Sequence, residues 1–195
     1  QGGAIATASN LAISGTRIEG NRSDSHGGAV ILEINATGIF SNSTFDSNES
    51  ISGQGGALYL SGTGTSQITE TTLSNNQSNL EGGAIVVADP HTLEITRSLL
   101  NDNIAGDDGG AIFHASTGAN ALRITTSTLS NNQANTPAAA GGAVSLAAST
   151  SSIFQGVTIA DNQTSTAGGG IKVNATAVLS LANSIVAGNT AVTNN

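Results

Sequence analysis

Cysteine is absent from this 195-residue chain, which removes disulfide frameworks and thiolate chemistry from consideration. Basic residues are scarce. Five Lys and Arg, with Lys172 the one lysine, stand against thirteen Asp and Glu and give a formal net charge of -8. Nucleic acids and anionic membranes are bound through clustered positive charge, so neither is expected as a partner. No apolar run is long enough to span a bilayer, and direct membrane insertion is not expected. Stretches of ten or more residues with a 3.6-residue apolar period are also missing, which excludes helical repeats.

What the chain does have is a beat. Gly-Gly-Ala, or once Gly-Gly-Gly, occurs seven times, with its third residue at Ala4, Ala29, Ala57, Ala84, Ala111, Ala143 and Gly170. The intervals are 25, 28, 27, 27, 32 and 27 residues. A second mark, apolar-x-x-Asn, ends on Asn21, Asn48, Asn76, Asn103, Asn132, Asn162 and Asn189 at the same period. A period between about 20 and 50 residues signals a solenoid, propeller or array.

Side-chain alternation selects among these. Leu93-Glu94-Ile95-Thr96, Leu122-Arg123-Ile124-Thr125 and Leu179-Ser180-Leu181-Ala182 alternate with period two, as strands do. The same alternation follows the glycines in Val30-Ile31-Leu32, Leu58-Tyr59-Leu60, Ile85-Val86-Val87 and Ile171-Lys172-Val173. The first and third positions are assigned to the interior. The Leu-x-x-Leu-x-Leu signature of leucine-rich repeats is lacking, and a propeller blade needs about 40 residues. An all-β parallel β-helix of seven coils remains, a single domain over residues 1–195 about 34 Å long at about 4.8 Å per coil.

Most marked residues have a structural reading. The second glycines, Gly28, Gly56, Gly83, Gly110, Gly142 and Gly169, suit a tight corner with close backbone approach. The ladder Asn residues suit left-handed corner geometry, with side chains bonding to backbone of their own turn. Five residues earlier come Thr16, Ser43, Thr71, Ser98, Ser127, Val157 and Ser184, small side chains that pack inside or share hydroxyl bonds between coils. The extra residues of the longest interval, 135–140, are expected to bulge as a loop. Seven Asn-x-Ser/Thr sequons occur, at Asn21, Asn35, Asn42, Asn48, Asn76, Asn162 and Asn174, and glycosylation is not inferred from them.

No catalytic, metal or cofactor site is expected. Asp102 and Asp161 share a register but lie two coils apart, and Asp46 holds another. Gln54, Glu81 and Asp108, with Asp107 beside it, stack one per coil and form a patch of corner polarity able to hold a surface cation weakly. Glu70 and Arg97 are placed as a cross-coil ion pair. His26, His91 and His114 fall in different registers and do not converge on zinc. The glycine pairs lack the Gly-Lys-Ser/Thr of phosphate loops.

The two marks, in Gly82-Gly83-Ala84-Ile85, Gly55-Gly56-Ala57-Leu58 and Phe45-Asp46-Ser47-Asn48, resemble the Gly-Gly-Ala-Ile/Leu and Phe-x-x-Asn repeats of the polymorphic outer-membrane protein family. The resemblance covers essentially the whole chain, with the aromatic kept at Phe45 alone. It implies a right-handed, autotransporter-like β-helical passenger on the bacterial outer surface, associated with adhesion to host-surface or polysaccharide ligands. The function expected is a non-catalytic extracellular structural or adhesive rod. Alternatives are a β-helix that binds or cleaves polysaccharide and, from the Thr-rich stretches Thr69-Glu70-Thr71-Thr72 and Thr125-Thr126-Ser127-Thr128, an ice-binding face, although the row Arg17, Thr44, Thr72, Leu99, Thr128, Thr158 and Ile185 interrupts a uniform array. Because the repeat is in phase at both ends, the partners expected are further coils of a longer chain or copies of itself stacked end to end into a filament.

Overall fold

The computed structural model describes residues 2–88, 90–117, 121–147 and 149–192. Within them the backbone winds into seven right-handed coils, numbered here from each glycine motif. Each coil contributes one strand to each of four seven-stranded parallel sheets. Sheet A carries the residues after the glycines, such as Val30–Leu32, Leu58–Leu60 and Ile112–His114. Sheet B follows with strands such as Thr65–Thr69 and Thr92–Thr96. Sheet C holds the apolar mark, as in Thr44–Asp46 and Leu99–Asn101, and sheet D has two-residue strands such as Glu49–Ser50.

Register follows the repeat: Ile18 pairs with Phe45, Phe45 with Leu73, Leu73 with Leu100, Leu100 with Leu129 and Leu129 with Ile159. These side chains point inward with the first and third residues of sheet A. The resulting core is sealed, with Leu58, Leu60, Ile85, Val87, Leu100 and Leu129 all at 0% exposure. Phe40 meets Phe45 edge-on, ring centroids 5.6 Å apart. Each such fully buried side chain stabilises the coil by about 1.5–3 kcal/mol.

The corners between B and C and between C and D share one design. Each has two residues, the first in the left-handed region and the second sending its side chain to the neighbouring coils. At the C–D corner the left-handed residues are Gly20, Ser47, Asn75, Asp102, Asn131, Asp161 and Gly188. The ladder Asn is therefore the residue after the left-handed one, which corrects the expectation from sequence. The preceding residue makes the sharp turn, so the Asn keeps ordinary backbone geometry and turns inward.

There each ladder Oδ1 accepts both the backbone N–H and the Nδ2 of the preceding coil's Asn, as Asn76 Oδ1 does from Asn48 at 3.0 Å each. Each Nδ2 also donates to the carbonyl of the previous coil's apolar mark, as from Asn76 to Phe45 and from Asn103 to Leu73. Bonds to the Asn's own turn are the minor part, found from Asn21 to Glu19, from Asn162 to Ala160 and from Asn189 to Ala187. Sequons at Asn48, Asn76 and Asn162 are consequently sealed at 0% exposure.

The B–C corner repeats the device with hydroxyls. The Thr16 N–H donates to Ser43 Oγ, Ser43 to Thr71, Thr71 to Ser98 and Ser98 to Ser127. Val157 interrupts the line, so the Ser127 N–H lacks the acceptor its equivalents have, and the pattern resumes from Val157 N to Ser184 Oγ at 3.0 Å. Val157→Thr is expected to complete this ladder. The new hydroxyl would accept from Ser127 and donate to the Gln155 carbonyl, as Thr71 does to Thr69 at 2.9 Å. A gain of about 1 kcal/mol in urea unfolding is expected, and an unchanged midpoint would show that the Ser127 N–H is already satisfied.

The glycine corner divides its labour. Gly27, Gly55, Gly82, Gly109, Gly141 and Gly168 have positive φ, while each second glycine lies against the next coil's backbone. A Cβ on Gly28, Gly56, Gly83, Gly110 or Gly142 would fall 2.0–2.1 Å from the carbonyl oxygen of the following second glycine. Residues 135–140 do not bulge freely. Ala139 is fully buried, its carbonyl accepts from the hydroxyls of Thr164 at 2.7 Å and Thr166 at 2.6 Å, and Ala140 bridges to Ala167.

Candidate functional site

Strand alternation sends the middle residue of each sheet A strand outward, giving the column Ala6, Ile31, Tyr59, Val86, Phe113, Ser145 and Lys172. On sheet B the equivalent column is open, with Ile39 at 48% exposure. On sheet A, by contrast, Ile31, Val86 and Ser145 are buried although they face away from the core. Residues of the D–A corners reach onto this face, the His26 ring onto Tyr59 and the Asp108 carboxylate onto Ser145, and the strip they border is the trough over sheet A.

These corner residues are the stack seen in sequence, extended by one. His26 stands before Gln54, Glu81 and Asp108, each joined to the next coil through backbone bonds such as Gly27 N to Gln54 O and Gly55 N to Glu81 O. The His26 ring lies on Tyr59, centroids 4.5 Å apart and planes 21° apart, and His26 Nδ1 accepts the Gln54 N–H at 3.2 Å. Gln54 Nε2 donates to Glu81 Oε2 at 2.7 Å. Asp108 accepts the Ala140 N–H at 2.8 Å and the Ser145 hydroxyl at 3.2 Å.

Burial decides the electrostatics here. It holds the His26 imidazole below its usual range and pushes the Tyr59 phenol up, the Glu81 charge adding to the latter. It also raises the Asp108 carboxyl, against the opposing effect of the Ala140 and Ser145 donors. Two of the chain's five aromatic residues, Tyr59 and Phe113, are not fully buried. Both stand in this column, two coils apart.

The other marked residues are placed elsewhere. Glu70 and Arg97 pair at 2.8 Å on the B–C corner, both about half exposed, so the pair is worth a few tenths of a kcal/mol. Asp46 accepts from Ser74, Asn75 and Arg17, donors that hold its carboxyl below the usual range, Asn75 and Ser74 foremost. Asp102 and Asp161 occupy left-handed corner positions. His91 and His114 are inside the coil rather than on a face. Among the described residues no group of three or more His, Asp or Glu is arranged to hold a metal ion. The Thr row stacks as Thr44, Thr72, Leu99, Thr128 and Thr158, with a shallow depression between it and the Glu70–Arg97 pair.

Sequence reasoning found the Gln54, Glu81 and Asp108 stack but missed His26 and Tyr59. The available signal was that Tyr59 and Phe113 both occupy the second position after Gly-Gly-Ala. What it lacked was the reach of the corner residues onto sheet A, which no spacing encodes.

Residues 1–122 match the family model described as right handed beta helix region. Neither the curated proteins nor the solved structures contain a match to the chain. With seven coils in register and more than half its length within the family model, the chain belongs to the right-handed beta helix family.

Proposed function

We propose that this protein is a non-catalytic structural or adhesive rod of the extracellular bacterial surface, built like the polymorphic outer-membrane protein repeats, and that the trough over sheet A is its contact surface. The observation that carries the reading is the use made of polar groups. The ladder Asn and Ser/Thr side chains are committed to coil stacking. The half-buried rings lie on one lateral face, beside the polar groups of the D–A corners. A stiff stack with one decorated face suits display better than turnover.

The filament form of the proposal uses the same pairing: copies joined end to end would continue the four parallel ladders that already link successive coils, one strand of each copy pairing with the next.

The test is a binding screen of the purified chain against immobilised polysaccharides and host-cell surfaces, paired with electron microscopy. Tyr59→Ala with Phe113→Ala is expected to weaken any lateral binding by about tenfold or more while leaving rod images unchanged. Release of new reducing ends from a polysaccharide would replace this reading with an enzymatic one. Particles that never join would remove the filament form.

A further inference from the structure

We propose that coils four to six form an acid-labile segment of the rod, in which protonation of His114, with His91 as a second site, opens the interior along the corner between sheets A and B. This goes beyond the display reading and does not depend on what the trough binds.

The geometry is specific to these coils. His114 takes the third position of its sheet A strand, which is filled by Leu32, Leu60, Val87 and Leu146 in other coils. Its ring is sealed inside the coil at 0% exposure. Nδ1 meets Ser152 Oγ of sheet B at 3.1 Å, and Nε2 has no hydrogen-bond partner among the described residues. His91, on the A–B corner one coil earlier, is equally sealed. Its Nε2 meets Ser66 Oγ at 2.8 Å, and its Nδ1 makes no hydrogen bond of good geometry among the described residues, although the Ser61 and Gly62 carbonyls lie by the ring. Ser116 Oγ, two residues beyond His114, is a third sealed polar atom without a partner. Among the described residues these three interior atoms, in two successive coils, contrast with the saturated Asn ladder across the same interior.

The surroundings of both rings favour the neutral state. Val87 and Leu146 flank His114 in sheet A, and Ser152 faces it from sheet B. Around His91 stand Ser66, Gly64 and the Ser61 and Gly62 carbonyls. Among the described residues no carboxylate or cation acts on either ring. Burial takes the His114 pKa from 6.5 down to about 4. His91 is lowered by burial too, but its two backbone carbonyls oppose the shift, so His114 is the stronger trigger.

The sign follows from linkage. A histidine depressed in the folded state contributes its full stability above about pH 6.5 and loses it as pH falls toward about 4, because the opened chain binds the extra proton. Asp108 works in the opposite direction, its carboxyl being raised by burial, and so does not account for acid opening. For His114 alone the opening equilibrium rises about tenfold per pH unit within that window, to a ceiling of about 300-fold.

Hydrogen exchange of the intact chain, corrected for intrinsic rates, provides the test. Going from near pH 7 to near pH 5, strands Ile85–Val87, Ile112–His114 and Val144–Leu146 are expected to lose about 20-fold in protection, while Val30–Leu32, beside the less deeply buried His26, changes less. In His114→Asn, which keeps a polar partner for Ser152 but does not titrate there, most of the pH response of these strands is expected to vanish. An undiminished response in that variant overturns the proposal. If the variant does not fold, the wild-type imidazole signals decide: titration of His114 near pH 6.5 with the strands still protected overturns it, and titration near 4, or coincident with loss of protection, supports it.

Discussion

Gly83→Ala is expected to destabilise the rod by more than about 3 kcal/mol, beyond the usual range for overpacking, or to prevent coils four and five from closing. The added methyl would lie 2.1 Å from the Gly110 oxygen and 2.6 Å from the Ile104 carbonyl carbon. Both obstacles are backbone, one in the next coil and one in the facing strand of sheet D, so no rotamer change relieves them. Widening the coil spacing there would stretch the parallel ladders on either side, including Ile85 to Ile112. The control is Gly20→Ala, where φ is +63° but nothing lies within 4 Å of the new methyl; only the left-handed penalty of about 1 kcal/mol applies. Urea unfolding of the two variants separates close approach from backbone strain. Equal losses would mean that the second glycine is not pressed between coils as the geometry indicates.

Asn103→Leu is expected to cost about 3–5 kcal/mol, and Asn103→Asp at least as much. The side chain accepts the Asn76 N–H and Nδ2, each at 3.0 Å, and donates to the Leu73 carbonyl at 3.0 Å and Asn132 Oδ1 at 2.9 Å. Leucine fills the volume but strips the Asn76 N–H of its acceptor inside a sealed interior, at about 1–3 kcal/mol for each group so orphaned. Aspartate retains the accepting oxygen and loses both donations, and it adds a charge facing the Asn132 oxygen. Thermal unfolding of both variants measures the accepting and donating halves of the ladder separately. If Asp is tolerated like Asn, donation along the ladder contributes little. Because each coil contacts only its neighbours, the loss is expected to concentrate in exchange of coils three to five.

The same one-dimensionality explains why so much was legible. In a stack, a residue's neighbours are those one period away, so Asn76 between Asn48 and Asn103, Glu70 beside Arg97 and Gln54 over Glu81 could all be placed by counting. Interior and exterior followed from the two-residue alternation at Leu58-Tyr59-Leu60. Counting works poorly within a corner. The pairs Asn75-Asn76 and Asn131-Asn132 offer two identical residues, and the structure assigns the left-handed turn to the first and the buried ladder to the second.

The trough shows the same limit. That Tyr59, Phe113 and Lys172 share an outward column is a matter of register, but the burial of Ile31, Val86 and Ser145 in that column depends on packing around each strand, as where Asp108 meets Ser145.

The amino-acid order alone therefore determined the period, the parallel β-helix and the stacking partners, because hydrogen bonding between successive coils makes equivalent positions meet. Only the tertiary structure decided which corner residue turns left-handed, that His26 lies on Tyr59, and that His91 and His114 are sealed in the interior against Ser66 and Ser152. These are contacts across corners and through the interior, where position depends on packing from several strands at once and no fixed spacing along the chain carries it.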